Sequence, residues 1–270
     1  MKPELFRIGA FSVNSYGVFL ALAFVVGLWL TLRLGKRRGL NRDNLLDLSI
    51  LVMISSIIGA RLLYVLFHLS EFEGRWLYTF IPIQPDGRVG LSGLIFLGGF
   101  LGAVAASVVY MRWRKMPMLK TMDSAMPALA LGIFFGRIGC LLNGCCFGQA
   151  CELPWAVSYP VNSAAHHILN GMAAHPTQLY ESAYGLIIFF VLMVIERRGV
   201  WEGQLTGWFL VLYGISRFTI DFWRYYEEQM FIFAGLEFNQ IVSFVMLITG
   251  IYILFKLKPG GSTGNSSLTT

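Results

Sequence analysis

Charge is scarce in this chain: Asp, Glu, Lys and Arg make up 13% of its 270 residues, too few to clothe the surface of a soluble globular domain. No hydrophilic block is long enough to fold separately, so one domain is expected over residues 1–258. A disordered Gly/Ser/Thr-rich tail on the cytoplasmic side is expected over 259–270. No internal repeat points to an inverted-repeat transporter. Neither a Gly-rich phosphate loop nor a Ser-His-Asp pattern is present. No Ala-x-Ala cleavage pattern follows the first apolar run, which is therefore expected to remain as a mature span. Cysteine is absent except in one short stretch.

What fills the chain is apolar. Hydrophobic residues reach 56% and the mean hydropathy is +0.63, which makes a lipid bilayer the natural solvent. Crossing its ~30 Å hydrocarbon core takes roughly 20 residues of helix. Seven such runs appear: Ala10 to Thr31, Leu46 to Leu66, Leu91 to Tyr110, Ser124 to Leu142, Thr177 to Ile195, Gly203 to Ile220 and Glu237 to Leu257. The expected fold is an all-α, polytopic membrane protein.

Cations sit in alternate connections. Arg33, Lys36, Arg37, Arg38 and Arg42 follow the first run, and Arg112, Arg114, Lys115 and Lys120 the third. Arg197 and Arg198 follow the fifth; Lys256 and Lys258 end the seventh. Lys and Arg in short loops stay on the cytoplasmic side, which predicts the N-terminus outside and the C-terminus inside. The remaining loops, Ser70 to Arg88, Asn143 to Pro176 and Phe222 to Leu236, are poorer in cations. This asymmetry accounts for the net charge of +6 without a nucleic-acid partner.

Three arginines break the apolar pattern: Arg61, Arg137 and Arg217. An arginine at the centre of a membrane helix costs about 2.5–3.5 kcal/mol on insertion scales, so each needs a partner or a wet cavity. All three fall late in runs that the predicted topology sends from inside to outside, which places them in the outer half of the bilayer. Arg224, just beyond the sixth run, joins them there. A guanidinium fork matches a phosphate or carboxylate with two parallel hydrogen bonds, and a cluster at headgroup depth suggests an anionic phospholipid. The plainer alternative is that such arginines snorkel or pair with a helix carboxylate, as Arg217 could with Asp221.

At these residues the chain resembles the bacterial prolipoprotein diacylglyceryl transferases. Gly136-Arg-Ile-Gly-Cys-Leu-Leu-Asn-Gly-Cys-Cys-Phe-Gly148 is similar to the family signature Gly-Arg-x-Gly-Asn-Phe-x-Asn-Gly-Glu-x-x-Gly. His175-Pro-Thr-Gln-Leu-Tyr-Glu181 resembles its His-Pro-Ser-Gln-Leu-Tyr-Glu motif, and Tyr213 to Arg224 resembles Tyr-Gly-x-x-Arg-x-x-x-Glu-x-x-Arg. Ser15-Tyr-Gly17 and Gly59-Ala-Arg61 occupy the expected places near the start. The resemblance covers nearly the whole chain.

It implies transfer of the diacylglyceryl group of phosphatidylglycerol to the lipobox cysteine thiol of a prolipoprotein, at a bacterial cytoplasmic (inner) membrane, with no metal or cofactor. The partners implied are phosphatidylglycerol, prolipoprotein signal peptides and the membrane. Carried over by position, Arg137 and Arg217 would hold the phosphate, with Arg61 and Arg224 supporting the headgroup. Asn143, Gly144 and Gly148 would shape the adjoining loop, and Tyr16 would line the cavity. Tyr180 and Glu181 would stand beside it, and Glu152 to Ala174 would form an external lid. Gly98 and Gly99 form a small-residue face for helix packing that could also leave room for an acyl chain.

Several positions depart from the family. Leu97-Gly-Gly99 stands where the family has His-Gly-Gly, Cys140 and Cys145 replace the signature Asn and Glu, and Asp221 replaces a Glu. The candidates left to deprotonate a thiol are His175, Glu181 and Asp221; His175 could instead cap the helix beginning at Pro176. Alternatives to the transfer are a same-fold enzyme with altered lipid or thiol chemistry, and a non-enzymatic carrier of anionic lipid.

Cys140, Cys145, Cys146 and Cys151 are all four cysteines of the chain. In an exported loop the first expectation is disulfides, with three possible pairings. A thiolate activated beside Arg137 is a second reading. A soft-metal site is a third, against which stands the lack of C-x2-C spacing.

Overall fold

Seven long helices follow the seven apolar runs in the computed structural model, which describes residues 1, 4–8, 11–72, 93–161, 163–226, 231–233 and 236–257. They are α1 (Ser15–Arg37), α2 (Arg42–Phe67), α4 (Phe96–Trp113), α5 (Met118–Asn143), α7 (Thr177–Arg197), α8 (Gln204–Asp221) and α9 (Phe238–Lys256). Short helices α3 (Leu69–Phe72) and α6 (Ala164–Ile168) lie in connections. Two short antiparallel strand pairs accompany them: β1 (Glu4–Ile8) with β2 (Phe11–Asn14), and β3 (Phe231–Phe233) with β4 (Leu236–Glu237).

Six of the long helices are long and apolar enough to cross a membrane. The exception, α8, is of similar length, but Thr206, Ser216, Arg217 and Asp221 lower its apolarity. Its place is inside the bundle, where it packs mainly on α9 and α7. Around the outside, Phe96, Phe255, Trp113 and Phe67 are among many exposed apolar side chains, an exterior suited to hydrocarbon rather than water.

Helices α1, α2, α4, α5 and α7 extend past one or both ends of their apolar runs into charged flanks, because long cationic side chains can keep their heads at the interface while their stems stay apolar. Two runs are shortened at their start by several residues: Phe11–Asn14 pair with β1 instead of coiling, and α4 begins at Phe96, five residues into the third run. The expected loop Ser70 to Arg88 lies outside the described residues from 73 onward, and the expected tail lies wholly outside them.

Close helix contact is set by glycine. A Cβ on Gly98 would fall 2.3 Å from the carbonyl oxygen of Gly59, and one on Gly59 would fall 2.4 Å from that of Gly98. The α2 and α4 backbones therefore touch, the usual purpose of small residues in a membrane helix. Gly99 also faces α2, at the Ser56 carbonyl. Gly98 and Gly99 thus lie in the packing of α4 on α2.

The basic connections are tied to carboxylates from neighbouring helices. Arg38 pairs with Glu196, both largely buried. Lys120 lies 3.2 Å from Glu202 and Arg114 3.8 Å from Asp47, pairs exposed enough to add little stability. Asp123, buried on α5, starts α8: its carboxylate accepts the backbone N–H of Gly203 at 2.7 Å and of Thr206 at 2.8 Å, and the Thr206 hydroxyl at 2.7 Å. Gly203, the residue at the N-cap, has no side chain to do this.

Candidate functional site

Where α5 and α8 end and α7 begins, three segments are stitched by their backbones. Gly148 N–H donates to the His175 carbonyl at 3.0 Å, His175 N–H to Gln149 at 3.0 Å, Gln149 N–H to Trp223 at 2.8 Å, and Tyr225 N–H to Phe147 at 3.2 Å. Gly148 sits so tightly in this weave that a Cβ would lie 2.6 Å from both the His175 Cβ and the Trp223 carbonyl oxygen. The weave delivers side chains from three helix ends to one place.

Glu181, in the first turns of α7, is the hub. One of its oxygens lies 2.6 Å from Arg137 Nη2 and the other 2.8 Å from Arg224 Nη1. The side chain of Glu181 is 3% exposed, against 21% for Arg137 and 13% for Arg224, so the guanidiniums cover the carboxylate and keep the wetter edge.

Beside this trio, Arg217 Nη1 meets Asp221 Oδ1 at 2.5 Å. Tyr226 closes the pair into a ring, accepting from Arg217 Nη2 at 2.8 Å and donating to Asp221 Oδ1 at 2.6 Å. Asn239 of α9 donates to the same hydroxyl at 3.1 Å. Burial raises the pKa of the Tyr226 phenol, which keeps it a donor. A narrow cleft between α5, α7 and α8 is lined by Glu181, Tyr184, Tyr213, Ser216 and Arg217.

Arg137, Arg217, Arg224, Glu181 and Asp221 are thus brought together as the sequence suggested. Arg61 is engaged elsewhere, with Nη1 3.4 Å from the Gly93 carbonyl and its guanidinium over the rings of Phe72 and Tyr64. Tyr16 packs on α5, where a Cβ on Gly139 would lie 3.3 Å from its ring. His175 does not cap α7: Pro176 holds the N-cap position without a side-chain bond, and the imidazole Nδ1 lies 3.5 Å from the Tyr180 hydroxyl. Trp155 donates to that hydroxyl at 2.7 Å.

The connection from Glu152 to Ala174 packs as a small core of its own, with Tyr159, Ala165, Leu169 and Ala174 buried against Phe147. Gln178 anchors it by donating to the Tyr159 hydroxyl at 3.0 Å.

Helix α5 ends in a Schellman turn. Gly144 takes the left-handed conformation, with φ at 76°; Cys145 N–H bonds back to the Cys140 carbonyl at 3.1 Å and Gly144 N–H to that of Leu141 at 3.2 Å. Asn143 is the last helical residue. The thiols of Cys140, Cys145 and Cys146 gather within 4.8 Å of one another, and all four cysteines are unbridged. The Cys146 thiol is held well below the usual thiol range, first by hydrogen bonds from Cys140 and Cys145, then by the charges of Arg224 and Arg137.

Sequence reasoning missed Asp123, Tyr226 and Asn239. The partners of Asp123 and Asn239 arrive from other elements, so no local pattern points to them; Tyr226 lies close in sequence to Arg217 and Asp221, but beyond the end of α8, at a spacing that no helix repeat singles out.

A family model described as prolipoprotein diacylglyceryl transferase matches residues 3–256. The chain belongs to that family. Among its relatives, a protein of Pseudoalteromonas translucida is 32% identical, over 94% of this chain and 92% of its own. One from Geobacter sulfurreducens is 32% identical over 93% of each chain. One from Clostridium tetani is 28% identical over 94% of this chain and 96% of its own. All three carry the name phosphatidylglycerol--prolipoprotein diacylglyceryl transferase. Membership fits a polytopic helical protein whose buried arginines meet at one end of the bundle.

Proposed function

We propose that this chain transfers the diacylglyceryl group of phosphatidylglycerol to the cysteine thiol of a prolipoprotein signal peptide. One observation carries the reading: among the described residues of the cluster, three guanidiniums, Arg137, Arg217 and Arg224, face two carboxylates, Glu181 and Asp221. The surplus positive charge matches the single negative charge of a phosphodiester.

In the reaction the thiolate sulfur forms a bond to the glyceryl CH2 carbon, the carbon–oxygen bond to phosphate breaks, and glycerol phosphate leaves with that electron pair. Arg137, Arg217 and Arg224 stabilise the charge that grows on the leaving phosphate, in a site already arranged for it. Glu181 and Asp221 hold the guanidiniums in place.

The thiol proton needs an acceptor. Both Glu181 oxygens are taken by arginines and Asp221 Oδ1 by Arg217 and Tyr226. An imidazole is a better-matched base for a thiol than a carboxylate, which favours His175, at the edge of the same weave.

The cluster is assigned to the outer face of a bacterial inner membrane, with the N-terminus outside. Support comes from the ion-paired basic connections, which belong to the opposite ends of the same helices. Purified protein supplied with phosphatidylglycerol vesicles and a lipobox peptide should yield diacylglyceryl-peptide and glycerol phosphate in equal amounts. Failure to form either, in reduced and oxidised protein alike, overturns the reading.

A further inference from the structure

We propose that Cys140, Cys145 and Cys146 form a binding site for a soft, thiophilic metal ion of the copper(I) or zinc class. The site begins with the turn that ends α5. In a Schellman turn the residue three places before the cap contacts the residue after the left-handed glycine. Here those two residues are Cys140 and Cys145, around Gly144 with φ at 76°. A contact that is usually apolar is made by two thiols.

Cys146 supplies the third. Its own φ of 62° is uncommon for a residue with a side chain, and it turns the chain back over the end of the helix. Thr177 holds this turn by donating to the Cys146 carbonyl at 2.9 Å, and Gln178 by donating to that of Cys145 at 2.8 Å. All three sulfurs then lie within 4.8 Å of one another.

That mutual spacing suits an ion better than a bond. A tetrahedral ion with metal–sulfur bonds of about 2.3 Å sets its sulfurs roughly 3.8 Å apart, so a closing movement of about 1 Å seats it. A disulfide of about 2.05 Å would join two of the thiols and strand the third. Cys140 is buried and the other two half-buried, shielding the ion while leaving a path to it. As the ion binds, each coordinating thiol releases its proton to solvent. Three protein ligands leave a tetrahedral ion one open position. Spacing alone hid the site: C-x4-C-C lacks the familiar C-x2-C, and only the Schellman turn makes four intervening residues equivalent.

The test uses the full chain, purified in detergent under reducing, metal-free conditions and titrated with cadmium(II). The expected result is a thiolate-to-cadmium charge-transfer band saturating at one equivalent. Cys140→Ser, Cys145→Ser and Cys146→Ser each weaken binding at least tenfold, while Cys151→Ser does not. Because a serine variant could unfold, thiol labelling of the unsubstituted protein gives a second reading: cadmium should protect three of four thiols. The absence of a band, equal weakening by Cys151→Ser, or cysteines bridged as disulfides under reducing conditions would each overturn the proposal. None of these readouts depends on diacylglyceryl transfer.

Discussion

Glu181 holds Arg137 through one carboxylate oxygen and Arg224 through the other. Two cations that would repel each other are thereby fixed side by side, one from α5 and one from beyond the end of α8.

Glu181→Gln keeps the shape and removes the charge. It leaves two largely buried guanidiniums facing each other, which should lower stability by about 3 kcal/mol and transfer by about 100-fold. Thermal unfolding in detergent and the peptide transfer assay report the two effects. A fully active Glu181→Gln protein would mean that the arginines are positioned by something else.

His175→Gln should reduce transfer by about 100-fold while leaving the fold intact, since the His175 backbone rather than its ring stitches the weave. The peptide transfer assay, run beside thermal unfolding in detergent, separates a loss of chemistry from a loss of fold. An unchanged rate in the folded variant would remove His175 from the chemistry.

Gly148→Ala tests the weave. Its methyl must displace both His175 and the Trp223 carbonyl, an overpacking cost of about 2 kcal/mol. Transfer should drop with stability, and proteolysis of the 147–151 segment should speed up. Wild-type behaviour in both would show that the weave yields easily.

Asp123→Ala should lower stability by about 3 kcal/mol, because three buried donors lose their acceptor. Its effect on rate per folded molecule should be small. Comparing folded fraction with total activity separates these, and a large loss of rate in fully folded protein would contradict the assignment of Asp123 to scaffold.

The bundle was legible because a bilayer demands long apolar helices, and the arginines stood out because hydrocarbon makes each of them expensive. Arg137, Arg217 and Arg224 converge as their positions suggested, and Asp221 pairs with Arg217 at the helical spacing of four. Arg61 shares their expected depth yet binds Gly93, since depth fixes height along a helix and says nothing about direction around it. Asp123 was invisible because its partners lie 80 and 83 residues away in the chain. The strand at Phe11–Asn14 was hidden because it runs without a break into the apolar helix, although Ser12 and Asn14 alternate with Phe11 and Val13 as a strand's residues do.

Asp123 also bears on the order of assembly. The first amide groups of α8 are buried and need an acceptor, and Gly203 offers them nothing. Because α5 is made before α8, its carboxylate is already waiting when those amides enter the bilayer. The protein therefore stores on an early helix the acceptor that a later one takes up as it docks.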